Sequence, residues 1–166
     1  MLRFLGWLGL AAVVVLFDQL TKAWVVSALP LRRRIDLAPF FSLTHVHNTG
    51  AAFSFLSDAG GWQRWFFLGL ALAASVVIVV WLRRLPKGAH REAAGLSLVL
   101  GGALGNFIDR LRYGYVIDFL DFHLGRWHWP AFNLADTAIS LGVMLLLWEA
   151  LRGRESDTVT GERHGR

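Results

Sequence analysis

Gly105-Asn106-Phe107-Ile108-Asp109-Arg110, Val116-Ile117-Asp118-Phe119-Leu120-Asp121-Phe122 and Phe132-Asn133-Leu134-Ala135-Asp136 follow one another closely after an apolar segment that enters at Gly101. Four carboxylates, Asp109, Asp118, Asp121 and Asp136, stand among large apolar side chains. Three of them, Asp109, Asp118 and Asp136, lie at or near the ends of segments hydrophobic enough to enter a bilayer, where an ionisable group is costly and calls for a function.

The rest of the chain agrees with a membrane setting. Its 166 residues amount to one domain, and 55% hydrophobic residues with a mean hydropathy of +0.45 exceed ordinary soluble composition. Cysteine is absent, which excludes thiol nucleophiles, disulfides and cysteine zinc sites. The net charge of +5 does not point to nucleic acid, because the basic residues fall between apolar runs rather than on a basic helix. Anionic lipid headgroups are the simpler partner.

Working outward from the acidic blocks, four apolar runs can each supply roughly the 20 residues that span a bilayer. They cover about 4–29, 62–82, 93–108 and 133–151, in a single integral-membrane domain 1–151. The third is short and rich in glycine, and its Gly101-x-x-x-Gly105 spacing lets another helix approach closely. Most of the eight tryptophans lie near the ends of the runs, as an interfacial belt requires. The first run also has signal-peptide features, with Val26-Ser27-Ala28 resembling a cleavage site, but cleavage would remove Asp18 and Lys22. Retained, these two stand four residues apart on one helical face and can pair.

Four spans put both termini on one side. The short basic loop from Arg83 to Arg91 makes that side the cytoplasm, although the Arg32 to Arg34 run opposes this orientation. Residues 152–166 read as a disordered cytoplasmic tail. The loops 30–61 and 109–132 are then periplasmic. The β-favouring run from Phe40 to Val46 and the stretch from Tyr115 to Phe122 predict a small extramembrane sheet. The fold class expected is an all-α membrane protein of four transmembrane helices with this small β-containing region on the periplasmic side.

At about 1.5 Å per residue, Asp18 and Lys22 stand roughly 20 to 27 Å above Phe4, near the far interface. The third run ends there with Asn106, Asp109 and Arg110, and the fourth begins there with Asn133 and Asp136. Independent segments thus converge at one depth. Singly, each has a plainer account: Asn133-x-x-Asp136 is a helix cap, Asp18 with Lys22 a self-neutralising pair, Asp109-Arg110 a charged span end, and His45 and His47 surface residues rather than metal ligands.

Several chemistries can be tested against this inventory. No G-x-S-x-G elbow and no H-E-x-x-H helix is present. A Ser-Lys dyad of Ser54 and Lys22 remains open, as does a non-catalytic lipid or peptide binder or a small transporter. So does a pair of carboxylates sharing a proton, for which Asp118, on a loop, and Asp136, on a first helical turn, are suited.

Five blocks in order, Asp18-x-x-Thr21-Lys22, Asn48-Thr49-Gly50-Ala51-Ala52-Phe53, Gly101-Gly102-x-x-Gly105-Asn106-x-x-Asp109-Arg110, Val116-Ile117-Asp118-Phe119 and Phe132-Asn133-x-Ala135-Asp136, closely resemble the lipoprotein signal peptidase, or signal peptidase II, family. The resemblance implies a bacterial inner-membrane aspartic endopeptidase of four spans, active near the periplasmic face. It would cut the signal peptide from a diacylglyceryl-modified prolipoprotein just before the lipidated cysteine. By motif position Asp118 and Asp136 would be the catalytic pair, and Asn48, Gly50, Asn106, Asp109, Arg110, Asn133 and Ala135 would line the site or bind substrate, with Asp18 and Lys22 in support. No cofactor or metal is implied. The partners expected are the lipidated substrate and membrane lipid, not nucleic acid, and the chain is expected to be a monomer.

Overall fold

Residues 1–50 and 60–161 are described by a computed structural model, with side chains as far as residue 152. Ser54, the Ala51-Ala52-Phe53 segment and residues 162–166 lie outside the described residues.

Long apolar runs satisfy their backbone groups internally as helices, which is the solution a bilayer demands. The first becomes α1, Leu2–Ala28, and stops just ahead of Pro30. The second becomes α2, Trp62–Arg84, whose last turn carries Arg83 and Arg84 where the helix dipole favours cations. The third, α3, spans His90–Tyr113 and so exceeds the 93–108 expected. It closes on Gly114, whose φ of 83° is the left-handed conformation glycine tolerates, with the Gly114 amide donating to the Arg110 carbonyl. The fourth, α4, spans Leu134–Gly161 and continues beyond Leu151.

Among the described residues three helices, α1, α2 and residues Leu134–Arg152 of α4, are long and apolar enough to cross a membrane. α3 is long enough at 24 residues but more polar. The reason lies in its position, since it packs against α4, α1 and α2 and buries a row running from Ala93 to Asp109. A helix enclosed by protein has no need of an apolar exterior. Its glycines make the enclosure tight. A Cβ on Gly101 would lie 2.6 Å from Val14 Cβ of α1, and one on Gly105 would lie 2.5 Å from Asp18 Oδ2 and 3.3 Å from Ala135 Cβ of α4. The small-residue spacing serves contacts within the chain.

The connections form an antiparallel sheet in the order β1-β2-β3-β4, comprising Arg34–Ala38, Phe41–Asn48, Val116–Leu124 and Trp127–His128. β2 and β3 match the two stretches expected. The Arg32 to Arg34 run, which had no assigned place, opens β1. There Arg34 donates from Nε to Asp36 Oδ1 and Ser42 Oγ at 2.6 and 2.9 Å, and from Nη2 to His123 Nε2 at 2.7 Å. Asp36 is held below the usual carboxylate range by the Ser42 hydroxyl and then by Arg34. In the β2–β3 register Val46 faces Asp118 and Asn48 faces Val116, which sets Asn48 diagonal to Asp118 on one face.

Candidate active site

Lys22 stands at the centre of the buried polar network. Its ammonium lies 2.9 Å from Asp18 Oδ2, 2.8 Å from Asp109 Oδ2 and 3.0 Å from Asn106 Oδ1, which uses all three of its N–H groups. Asp18, Lys22 and Asp109 are each at most 2% exposed. Each carboxylate also holds a backbone amide. Asp109 Oδ2 accepts from Ile117 N at 3.1 Å, and Asp18 Oδ1 accepts from Ala135 N at 3.0 Å. These are the residues immediately before Asp118 and Asp136, so one cation and two anions position both segments that carry the expected pair.

Asp118 sits on β3 rather than on a loop, a correction to the sequence reading, and is 1% exposed. The strand is fixed by its antiparallel pairing with β2, and its first four residues, Val116 to Phe119, are all buried. Asn133 Nδ2 donates to Asp118 Oδ1 at 2.7 Å and Asn48 Nδ2 to Asp118 Oδ2 at 3.0 Å. Burial, reinforced by the neighbouring Asp136, nevertheless pushes the Asp118 carboxyl up to about 7, against the two amide donors.

Asp136 occupies the first turn of α4. The cap reading holds in detail, because Asn133 Oδ1 accepts from Asp136 N at 2.9 Å while Asp136 Oδ2 accepts from Asn133 N at 3.3 Å, a reciprocal box. Asn106 Nδ2 donates to Asp136 Oδ1 at 2.8 Å. Being a cap does not remove Asp136 from the site. It is half-buried and lines a cavity of about 500 Å³ together with Asn48, Asn106 and Arg110. Much of the remaining wall is apolar, with Phe132, Ile139 and Met144 prominent.

Arg110 stacks over Phe67, with its guanidinium carbon 4.8 Å from the ring centroid, and donates from Nη2 to Gly50 O at 2.8 Å. Gly50 N in turn donates to Asn48 Oδ1 at 3.0 Å, which fixes the amide that reaches Asp118. Asp18, Lys22, Asn48, Gly50, Asn106, Asp109, Arg110, Asp118, Asn133, Ala135 and Asp136 therefore form one continuous hydrogen-bonded network. Asp121 lies apart and pairs with His128 Nδ1 at 3.0 Å.

His45 is buried, not a surface residue, and its Nδ1 lies 2.8 Å from Leu29 O; His47 stacks on Tyr115. No group of three or more His, Asp or Glu able to hold a metal occurs among the described residues. Gln19 went unread in the sequence. It donates to Asp109 Oδ1 at 2.8 Å and to Asp18 Oδ2 at 3.2 Å, stiffening both anchors. The signal was present as polar residues at 18, 19 and 22 in an otherwise apolar helix. The Trp129 to Phe132 wall of the cavity had no such signal, since these residues form the short link between β4 and α4 and carry no helical or strand periodicity.

Fold and site together define a membrane enzyme in which one carboxylate, Asp136, opens on a cavity at one end of a helical bundle and is backed by a buried acidic network. A bacterial membrane enzyme solved by the in meso method at 2.3 Å resolution superposes with a TM-score of 0.82 at 30% identity, covering 91% of this chain and 90% of that one. A second, at 1.9 Å, gives 0.77 at 31%, with 88% and 92% covered. The family described as signal peptidase (SPase) II matches residues 10–152. The chain belongs to the signal peptidase II family. Lipoprotein signal peptidases of Burkholderia thailandensis (strain ATCC 700388 / DSM 13276 / CCUG 48851 / CIP 106301 / E264) and Paraburkholderia phymatum (strain DSM 17167 / CIP 108236 / LMG 21445 / STM815) are each 56% identical over 147 residues, or 88% of this chain and 87% of theirs.

Proposed function

We propose that this protease is an aspartic endopeptidase that cleaves diacylglyceryl-modified prolipoproteins immediately before the lipidated cysteine. One observation carries the reading: Asn133 holds the buried Asp118 by its side-chain amide and, by a reciprocal cap, Asp136, which lines a largely apolar cavity. Asp118, raised by burial, keeps a proton near neutrality and polarises the scissile carbonyl. Asp136, open to the cavity, takes a proton from the attacking water as its oxygen bonds to the carbonyl carbon. Return of that proton to the leaving amine, with collapse of the tetrahedral intermediate, breaks the C–N bond. The Arg110 Nε has no partner among the described residues and can hold a backbone carbonyl or a lipid ester oxygen of the substrate.

The apolar cavity wall suits a substrate that arrives by lateral diffusion in the lipid. In the full reading α3 is a fourth span, both termini are cytoplasmic, the sheet and cavity are periplasmic, and the chain acts as a monomer. The Ser-Lys alternative is disfavoured, because Lys22 spends its N–H groups on two carboxylates and an amide. The deciding experiment is mass-spectrometric analysis of a purified lipidated precursor after incubation with wild type, Asp118→Asn and Asp136→Asn. Each variant is expected to lose about a thousandfold or more in rate. Full activity in either folded variant overturns the mechanism.

A further inference from the structure

A second cavity, of about 520 Å³, opens at the other end of the bundle, between the start of α1, the end of α2 and the start of α3. From His90, which lines it, to Asn106 at the acidic site is about 24 Å along α3. Neither the acidic network nor its substrate cavity shares a residue with it.

The lining separates into a cationic rim and an apolar floor. Arg3, Arg83 and Lys87 supply the rim, and no carboxylate is among the lining residues. Arg3 Nη2 donates to Leu85 O and Pro86 O at 3.1 and 2.9 Å, which fastens the start of α1 to the α2–α3 connection and holds the cavity open. Arg83 lies over Phe4, its guanidinium carbon 5.0 Å from the ring centroid, so its position is set by an aromatic face and its N–H groups remain available. Lys87 has no hydrogen-bond or ion-pair partner among the described residues. The first turn of α3 has no side-chain cap at Ala89, and its one acidic residue, Glu92, is not among the residues lining the cavity. Phe4, Trp7 and Leu82 form the floor.

We infer that this cavity binds the phosphodiester headgroup of an anionic phospholipid. Unpaired cations gathered between helices at a membrane boundary favour a phosphate, and the aromatic and aliphatic floor accepts the glycerol and first methylenes of the same molecule. A zwitterionic headgroup carries its own ammonium into a rim of three cations and is disfavoured. A free phosphate leaves the apolar floor uncovered. The lipid here fastens α1, α2 and the α2–α3 connection together at the end remote from the chemistry.

The test uses the full-length protein in detergent with phosphatidylglycerol or phosphatidylcholine added, read as retained lipid by native mass spectrometry. Wild type retains phosphatidylglycerol about tenfold or more over phosphatidylcholine, the scale of about one to two surface charge interactions in total. Arg83→Gln/Lys87→Gln removes that preference. Arg84→Gln/Arg152→Gln removes the same charge from exposed positions at the same end outside the cavity and keeps the preference. Helical circular dichroism and cleavage of lipidated precursor at the wild-type rate certify that the cavity variant is folded. An unchanged preference in the cavity variant overturns the site, and equal loss in both double variants reassigns it to diffuse surface charge. Displacement of the lipid by millimolar inorganic phosphate, with phosphate retained in its place, reassigns it to a soluble anion.

Discussion

The side-chain amide of Asn133 lies 2.7 Å from Oδ1 of Asp118, and Asn133 is fully buried. The same side chain offers its oxygen to the backbone amide of Asp136 at 2.9 Å. One asparagine therefore fixes the distance between two acidic groups carried by different elements, a strand and a helix. Asn133→Ala breaks the hydrogen bond to the Asp118 carboxyl and a helix cap together, at about 1–3 kcal/mol. Thermal unfolding in detergent should register this loss, and cleavage should fall at least a hundredfold.

The pH dependence follows from Asp118. Its carboxyl is raised by burial first and by Asp136 second, up to about 7, while Asn48 and Asn133 pull it down. In the proposed mechanism the protonated form polarises the carbonyl, so activity is expected to be retained below that value and lost as pH rises through it. At the acid end both carboxylates are neutral, neither can take a proton from water, and activity falls again. Asn48→Ala removes a donor that favours the ionised form, so the alkaline limb of the rate profile should move to higher pH. A limb that stays in place or moves down would show that Asp118 does not set it. The fold itself should lose stability as pH climbs from 3.8 to about 7, because over that window the folded chain holds a proton the unfolded chain gives up.

Lys22→Met leaves Asp18 and Asp109 facing each other without their cation. Breaking a buried ion pair from one side costs about 3–5 kcal/mol. A large drop in melting temperature is expected, together with loss of cleavage. Lys22→Arg should not rescue it, since a planar fork does not fill a compact three-way site.

Gly105→Ala sets a Cβ 2.5 Å from Asp18 Oδ2, whereas Gly69→Ala meets nothing within 4 Å. The first should lower stability by about 1–3 kcal/mol and disturb the Lys22 network; the second should be neutral or slightly stabilising. Equal melting temperatures for the two variants would contradict the close packing of α1 against α3.

Arg110→Lys keeps the charge but cannot both stack on Phe67 and reach Gly50 O as a fork. An approximately tenfold fall in kcat/KM is expected with little change in melting temperature, as measured by precursor cleavage and thermal unfolding.

Much of this arrangement was readable from residue order. α1, α2 and α4 announce themselves by length and apolarity, and the polar residues at 18, 22, 106, 109, 133 and 136 declare a common depth because helical rise is constant. α3 was harder, since its ends at His90 and Tyr113 lie in polar sequence that protein contacts, not lipid, make helical. β1 and β4 carry no alternation strong enough to mark them; β1 is held by Arg34 and its partners, and β4 is two residues long. Nor could spacing reveal that Asp18 and Asp109 act through the amides of Ala135 and Ile117, because those pairings are decided by which helices touch.

The bond from Ala135 N to Asp18 joins residues 117 positions apart, between the first helix made and the last. During synthesis α1 enters the bilayer with an acid and a lysine that can at first answer only each other. The peptidase site cannot be assembled until α4 has been threaded and its first turn docked. A chain without that helix has neither Asn133 nor Asp136 in place, so the network around Asp118 is completed only by the last helix to be made.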